Sequence, residues 1–131
     1  WENTEKTLFA LADGGGFSPT EDIILEYFNP TNGDSVFYTI GCYIQMIRPE
    51  IKTKEHKENV HKIYHVFRGK GETIIDGQKF KWSDGDFFVV PSGSWHYHEN
   101  TSKNHAILFS LQNKPALKRL GLYREEIKKT V

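Results

Sequence analysis

The strongest constraint on the fold is a set of five residues at fixed spacing. Gly85 is followed after five residues by Pro91, and then in turn by Gly93, His96 and Asn100. Glycine permits a tight entry turn, and the proline with the second glycine bends the chain before the next extended segment. Because side chains alternate along a strand, that segment turns His96 toward one face only. The pattern predicts a strand, a sharp bend and a second strand that directs a histidine inward.

This spacing resembles the second of the two sequence motifs that mark cupin barrels. The rest of the chain alternates short runs of β-branched and aromatic residues with turn signals such as Asp76-Gly77. Strands are predicted at 23–28, 36–48, 62–68, 72–75, 78–82, 86–90, 95–98 and 105–112, and short helices at 3–12 and 116–120. Residues 51–59 are predicted as a loop or irregular edge. We expect an all-β fold, a cupin double-stranded β-helix (jelly-roll barrel) with short N-terminal and C-terminal helices.

The charge balance restricts the class of partner. Seventeen Lys and Arg residues offset seventeen Asp and Glu residues, which argues against nucleic acid or an anionic membrane as the main partner. No apolar run approaches membrane-spanning length, and no signal peptide is visible. Cys42 is the single cysteine, which favours a reducing, cytoplasmic location. We expect the 131 residues, 1–131, to form one cupin domain.

Histidines mark a candidate metal site. Five of the six lie in two clusters around the mid-chain hairpin. His96 stands at the ligand position of the second cupin motif. The first motif has His-x-His, then an acidic residue and a closing glycine, and here these positions hold His56, Glu58, Lys62 and Gly69. Residues two apart on a strand point the same way, so His56 and Glu58 can converge on His96.

Two hypotheses remain open for this site. In the first, His56, Glu58 and His96 hold iron(II) through two imidazoles and one carboxylate, which leaves three octahedral positions for oxygen and a chelating substrate. In the second, no metal binds, because the ammonium of Lys62 points inward, pairs with Glu58 and fills the site. The ligand types favour the metal, and Lys62 opposes it.

The other histidines are expected outside the ligand set. His61 and His65 share strand parity and are predicted to face another sheet or solvent. His98 shares the parity of His96, which makes it a candidate neighbour of the site. His105 begins the last predicted strand and is expected at the surface.

A more specific resemblance rests on four stretches: ILEYFNPTNG at 24–33, TIGCYIQMIRP at 39–49, IYHVFRGKGETIIDGQKFKWSDGDFFVVPSGSWHYH at 63–98 and AILFSLQNKPALKRLGLYREE at 106–126. In these the chain resembles the gentisate 1,2-dioxygenases and the related 1-hydroxy-2-naphthoate and salicylate dioxygenases, specifically their C-terminal cupin domain. Those enzymes are bicupins, whose ring-cleaving iron is usually held by three histidines in the N-terminal cupin. Their C-terminal cupin often serves packing and oligomer contacts. Because the chain begins at Trp1, it is either one half of such an enzyme or a stand-alone cupin, and any missing part is expected on the N-terminal side.

The resemblance implies oxidative ring cleavage of a hydroxylated aromatic carboxylate at a non-heme iron(II) site. The implied partners are a small aromatic substrate, dioxygen and further copies in a homo-oligomer. Arg48 and Lys62 are then candidate contacts for the substrate carboxylate. The alternative is a metal-free, non-catalytic cupin domain for oligomer packing or small-molecule binding. A sensor or an isomerase on the same barrel also stays open, because a fold does not fix a function.

Overall fold

Short strands dominate the structure, as the sequence pattern predicts. The computed structural model describes residues 1–129. In chain order the elements are α1 (Glu2–Asp13), β1 (Ile23–Tyr27), β2 (Gly41–Ile47), β3 (His56–Glu58), β4 (Lys62–Arg68), β5 (Gly71–Ile75), β6 (Gln78–Trp82), β7 (Phe87–Val90), β8 (His96–Glu99), β9 (Ala106–Gln112), α2 (Lys114–Arg119) and β10 (Glu125–Ile127). Neither α1 nor α2 has the length and apolar character that a bilayer crossing requires.

The strands form two facing sheets of five strands each. Sheet I has the order β1-β2-β9-β4-β7, and sheet II has the order β10-β3-β8-β5-β6. Neighbouring strands run antiparallel in both sheets. The turn at Asp76-Gly77 joins β5 to β6 as a hairpin, with Ile75 opposite Gln78. The predicted all-β jelly-roll barrel with two short helices is confirmed.

Strand β4 illustrates how alternation builds the interior. Lys62, Tyr64 and Val66 are buried, whereas Ile63 and Phe67 on the opposite face are exposed. The apolar part of the interior is a cluster that consists of Ile47, Tyr64, Val66, Trp82, Val90, Ala106 and Leu108. Lys62 begins the same strand, so the apolar core and the charged interior occupy successive parts of β4.

Strand β2 is buried along its whole length. It lies between β1 and β9, and helix α1 covers part of its outer side. Leu8 of α1 packs in a second apolar cluster with Ile44 and Met46 of β2. The helix thus shields one outer region of sheet I and reaches the end of β4 through the ion pair of Glu5 with Arg68, while Ile63 of β4 and Val89 of β7 stay exposed.

The structure differs from the predicted elements in one boundary and two short strands. The strand predicted at 36–48 is confined to β2, because Phe37 and Tyr38 lie in a loop where they are 59% and 72% exposed. Aromatic residues are frequent in strands, which explains the prediction. In residues 1–129, however, neither residue belongs to a strand. Within 51–59 the chain forms the three-residue strand β3, and after α2 it forms the unpredicted β10. These two short strands pair with each other, so their formation depends on a long-range contact and not on a local pattern.

Candidate metal centre

The bend before β8 directs His96 into the barrel. Gly85 and Gly93 adopt φ angles of +85° and +79°, a region that residues with a Cβ seldom enter. Along β8, His96 and His98 are buried, and the residues between and after them are less so. His96 is 1% exposed. The inward orientation predicted from the motif is therefore present, and His98 shares it.

Strand β3 brings the other two predicted ligands to the same region. His56 and Glu58 are buried, whereas Lys57 between them faces outward and is more exposed. His56 lies directly opposite His96 in the pairing of β3 with β8, and their ring centroids are 4.4 Å apart. One ligand atom from each of His56, Glu58 and His96 lies within 4.8 Å of the other two. The structure thus brings together the three side chains that the sequence singled out.

Hydrogen bonds identify the free nitrogen of each imidazole. His56 Nδ1 lies 2.9 Å from the Glu125 carboxylate, and His96 Nδ1 lies 3.0 Å from the Ser94 carbonyl oxygen. Both partner atoms are acceptors, so each Nδ1 carries a hydrogen and donates it. Both Nε2 atoms are buried and make no hydrogen bond within residues 1–129, although Glu21 Oε1 lies 3.4 Å from that of His56. In a neutral imidazole protonated at Nδ1, Nε2 holds the lone pair that ligates a divalent metal.

Glu58 is held by an internal cation. The Lys62 ammonium contacts Glu58 Oε1 directly and lies 3.3 Å from Glu21 Oε1. Tyr123 Oη donates to Glu58 Oε2 at 2.6 Å. Burial alone would raise the pKa of Glu58, but the Lys62 charge and the hydrogen bonds lower it to about 2. Burial would likewise lower the pKa of Lys62, but Glu21 and Glu58 hold it well above its usual value. Both members of the pair are therefore charged at neutral pH.

The donor set fits a divalent metal ion at its two imidazoles. His56 and His96 present buried Nε2 atoms without partners, which is the condition of a ligand before it binds a metal. Glu58 differs, because an ammonium already contacts its oxygen. A metal ion and an ammonium are both cations and compete for one carboxylate. For Glu58 to serve as a third ligand, Lys62 would have to move away from it.

Burial lowers the pKa of the two histidines on β8. Desolvation, helped by the nearby Lys62 charge, lowers the pKa of His96 to about 4. Desolvation also holds the pKa of His98 well below its usual value, with the His96 and Lys62 charges acting in the same direction. His98 Nδ1 lies 2.8 Å from the Thr73 hydroxyl, and its ring lies 5.9 Å from that of His96. His98 is a polar neighbour of the cluster within the same face of β8.

Arg48 and Lys62, the two predicted contacts for a substrate carboxylate, differ in position. The Arg48 guanidinium is bound by Asp22, with Nη2 2.8 Å from Oδ1, and it stacks on the Phe17 ring at 4.3 Å from the ring centroid. Lys62 lies in the cluster itself, 1% exposed. The structure thus brings Lys62 together with the candidate ligands and engages Arg48 with Asp22.

The remaining histidines lie away from these interior groups. His61 is exposed, and its Nδ1 accepts a hydrogen bond from the backbone N–H of Ser92 at 3.1 Å. His65 packs on Phe87 on the outer face of sheet I. His105 lies before β9, half-buried against Phe9 of α1.

Sequence reasoning missed three residues of the site: Glu21, Tyr123 and Glu125. Glu21 lies in the loop before β1, 3.4 Å from His56 Nε2. Tyr123 and Glu125 come from the chain after α2, and the contact of Glu125 with His56 spans 69 residues of sequence. For Tyr123 and Glu125 the sequence offered one signal, their place in the family-specific stretch 106–126. The number of residues between that stretch and His56 does not indicate that they meet in space.

Comparison with known proteins gives one family match and several related enzymes. Residues 43–111 match the family model described as cupin domain. The 5-aminosalicylate 1,2-dioxygenase of Comamonas sp. is 36% identical over 127 residues, which cover 96% of this chain and 34% of that protein. Gentisate 1,2-dioxygenase 1 of Aquipseudomonas alcaligenes is 30% identical over 125 residues, which cover 95% of this chain and 35% of that protein.

A solved structure agrees with the sequence relatives. Salicylate 1,2-dioxygenase from Pseudaminobacter salicylatoxidans superimposes with a TM-score of 0.85 at 28% identity. The match covers 97% of this chain and 37% of that one. The chain therefore spans about a third of the length of the curated relatives it matches.

Proposed function

The chain belongs to the cupin domain family, and we propose that it is a domain of a dioxygenase that cleaves the ring of a hydroxylated aromatic carboxylate. The breadth of the likeness supports this. Relatives named as gentisate and 5-aminosalicylate dioxygenases match nearly the whole chain, and so does a salicylate dioxygenase of known structure. The proposed substrate is a small aromatic acid that carries a hydroxyl group beside its carboxylate, with dioxygen as co-substrate.

Within such an enzyme, the proposal treats residues 1–131 as one cupin domain that corresponds to the C-terminal cupin. The resemblance of the stretch 106–126 to the end of the family's chains supports this position. The matched relatives are about three times as long as this chain. The activity of the complete enzyme therefore involves sequence beyond these residues.

The proposed metal is iron(II), and the proposed ligands are His56, Glu58 and His96. The observation that carries this assignment is the pair of buried, unpartnered Nε2 atoms on directly opposed residues of β3 and β8. When bound, iron(II) supplies Lewis acidity and a path for electrons between an aromatic ring and dioxygen. The chain itself holds each Nδ1–H on an acceptor, so both lone pairs are oriented inward before any metal arrives.

Lys62 is the residue we propose as the contact for the substrate carboxylate. Its ammonium is buried beside the candidate ligands and has two carboxylate neighbours, Glu21 and Glu58. When Glu58 turns to a metal, Lys62 keeps Glu21 and gains capacity for one further anion. Arg48 is the weaker candidate, because Asp22 already neutralises its charge.

The second candidate function is a metal-free, non-catalytic cupin domain. The contact of Lys62 with Glu58 favours it, because a tethered ammonium supplies the positive charge that a metal would bring. In this case His56 and His96 are interior polar groups of a domain that packs against other parts of the enzyme. The two candidates predict opposite metal contents for the same protein.

Metal analysis of protein purified without chelator distinguishes them. The first candidate predicts about one iron per chain, lost in His96→Ala and retained in His61→Ala, which alters an exposed histidine outside the cluster. Protein that retains iron is then tested for oxygen uptake with gentisate or salicylate. The opposite result is a wild-type protein without iron, a His56→Ala variant that folds as wild type does, and a Lys62→Met variant that gains metal. This result contradicts the first candidate and supports the second.

We also propose a homo-oligomer and a cytoplasmic location. The outer face of sheet I carries a row of exposed apolar side chains at Ile63, Val89 and Leu111, which are direct cross-strand neighbours. Contiguous exposed apolar groups of this kind are common at subunit contacts. A balanced charge places no net repulsion between copies. The buried, free thiol of Cys42 fits a reducing compartment.

A further inference from the structure

The chain after α2 closes over the candidate metal ligands. This C-terminal strap, residues 122–128, contains β10, which pairs with β3 so that Glu125 lies opposite Glu58 and Ile127 opposite His56. The Asn59 side chain fastens its beginning by donating to the Leu122 carbonyl at 2.7 Å. Its end is fastened by the Lys128 N–H, which donates to the Glu55 carbonyl at 2.9 Å. The strap is thus attached along the whole length of β3.

Because side chains alternate along β10, its two glutamates point to opposite faces of the strand. Glu125 faces the site, and its Oε2 accepts from His56 Nδ1 at 2.9 Å. Glu126 faces the other way, 3.5 Å from the Lys57 ammonium on the outside. The two side chains have the same chemistry on neighbouring residues of one strand. Only Glu125 is in a position to influence a candidate ligand.

Carboxylates face both nitrogens of His56: Glu125 Oε2 lies 2.9 Å from Nδ1, and Glu21 Oε1 lies 3.4 Å from Nε2. The shorter contact favours the hydrogen on Nδ1. An acceptor at Nδ1 selects the tautomer with hydrogen on Nδ1 and leaves Nε2 free to ligate. His96 obtains the same arrangement from a backbone carbonyl within its own loop. For His56 the acceptor within hydrogen-bond distance of Nδ1, among residues 1–129, is Glu125 of the strap, since Glu58 Oε1 lies 3.7 Å away.

Tyr123 acts in the same way on the carboxylate. Its hydroxyl donates to Glu58 Oε2, while the Lys62 ammonium contacts the other oxygen, Oε1. Each oxygen of the Glu58 carboxylate thus has its own contact, which fixes the orientation of the group. Oε1 is the oxygen on the side of His56, 3.7 Å from its Nδ1.

We infer that Glu125 and Tyr123 are positioning residues for the metal centre, through which the C-terminal strap sets the tautomer of His56 and the orientation of Glu58. The inference rests on the proposed function, because the orientation of a ligand has a consequence only if a metal binds. The positioning itself is a property of the metal-free protein. It can therefore be measured whether or not the proposed function is correct.

The test is the imidazole tautomer of His56 in metal-free protein, read from long-range ¹⁵N–¹H correlations. Wild type is expected to show hydrogen on Nδ1. Glu125→Leu removes the acceptor and is expected to shift His56 toward the tautomer with hydrogen on Nε2. Glu125→Gln keeps an acceptor oxygen and is expected to retain the wild-type tautomer. Glu126→Leu is the matched control on the opposite face and is expected to leave His56 unchanged.

Cobalt(II) titration of the same proteins measures the consequence for metal binding. Loss of a hydrogen-bond partner of this kind typically weakens metal affinity by about 10- to 100-fold, so Glu125→Leu is expected to bind cobalt(II) in that range below wild type. Tyr123→Phe is expected to weaken it by a smaller factor, and Glu125→Gln to restore most of the affinity. If wild type binds no cobalt(II), the proposed metal site is refuted. The tautomer measurement then still shows whether Glu125 positions His56.

Two results overturn the inference. One is a wild-type His56 with hydrogen on Nε2, which needs no variant and is independent of whether Glu125→Leu folds. The other is an equal change of the His56 tautomer in Glu125→Leu and Glu126→Leu, since a merely structural role of the strap predicts that both substitutions act alike.

Discussion

Lys62 is the residue on which the chemistry of the site depends. Its ammonium is buried between two carboxylates, so it neutralises charge that would otherwise be costly inside a barrel. The same position makes it a competitor of any metal ion for Glu58. A single side chain thus stabilises the metal-free protein and regulates access to one ligand.

Removal of the Lys62 charge is expected to destabilise the metal-free protein. Lys62→Met leaves Glu58 buried without its main counter-ion, and breaking a buried pair in this way costs about 3–5 kcal/mol. Urea unfolding at neutral pH, with a chelator present, measures the loss. Lys62→Met combined with Glu58→Gln removes both charges and is expected to recover most of it. Equal loss in the single and double variants would argue that packing, not charge, is the cause.

At the residue scale the sequence predicted which three side chains meet and missed the groups that contact them. His56, Glu58 and His96 stand at motif positions, and the spacing between them reflects a backbone geometry that glycine and proline enforce locally. The inward cation at Lys62 could also be weighed, because it shares strand parity with the interior. Glu21 and Glu125 could not be predicted, because they reach His56 through contacts between distant segments.

At the element scale, β8 carries two neutral histidines in a desolvated interior. The fold lowers the pKa of His96 from its usual 6.5 to about 4 and that of His98 in the same direction. A lowered histidine pKa means that the unfolded chain binds protons more readily than the folded one. The stability that His96 contributes is therefore complete above its unfolded pKa and is lost as the pH falls from 6.5 through about 4.

This linkage predicts acid sensitivity in a defined range. Between about pH 7 and about pH 5, His96 alone should lower the free energy of unfolding by about 2 kcal/mol, as its pKa shift implies. Urea unfolding of metal-free wild type and His96→Gln at the two pH values checks this. The variant is expected to lose that part of the pH dependence and keep the part due to His98. An identical pH dependence in both proteins would show that His96 is not neutralised by the fold.

The short strands mark the limit of pattern reasoning at this scale. β4 and β8 were predicted closely, because alternation over several residues or a Gly-Pro bend defines each of them. β3 and β10 contain three residues each, too few for a period to be recognised. β10 pairs with β3, and β3 pairs with β10 and β8, so both depend on contacts between segments that are distant in the sequence.

For the whole molecule, the two ends of the outer face of sheet I have different surroundings. Helix α1 covers the side near β1 and β2, where Leu8 is fully buried. At β4 and β7 the outer face exposes Ile63 and Val89, 49% and 51% accessible. The barrel architecture followed from the sequence, because turn signals and strand patterns are local. The proposed homo-oligomer was expected from the family resemblance alone, because no local pattern distinguishes an exposed apolar face from a shared one.

The proposed homo-oligomer predicts a specific effect of charge on that face. Val89→Asp is expected to convert the assembly to monomer, because it places an unpaired charge in a desolvated contact. Sedimentation velocity measures the change. Phe80→Asp, at a similarly exposed aromatic position on sheet II, is the matched control and is expected to keep the assembly. A monomeric wild type, or equal dissociation by both variants, would contradict the use of this face.

The most direct test of the metal centre is anomalous diffraction at the iron edge from crystals of this chain loaded with iron(II) without oxygen. We expect one peak within bonding distance of His56 Nε2, His96 Nε2 and a Glu58 oxygen, with the Lys62 ammonium displaced from Glu58 and still beside Glu21. Absence of a peak among these side chains, with the ammonium still in contact with Glu58, would contradict the assignment and identify the site as an internal ion pair.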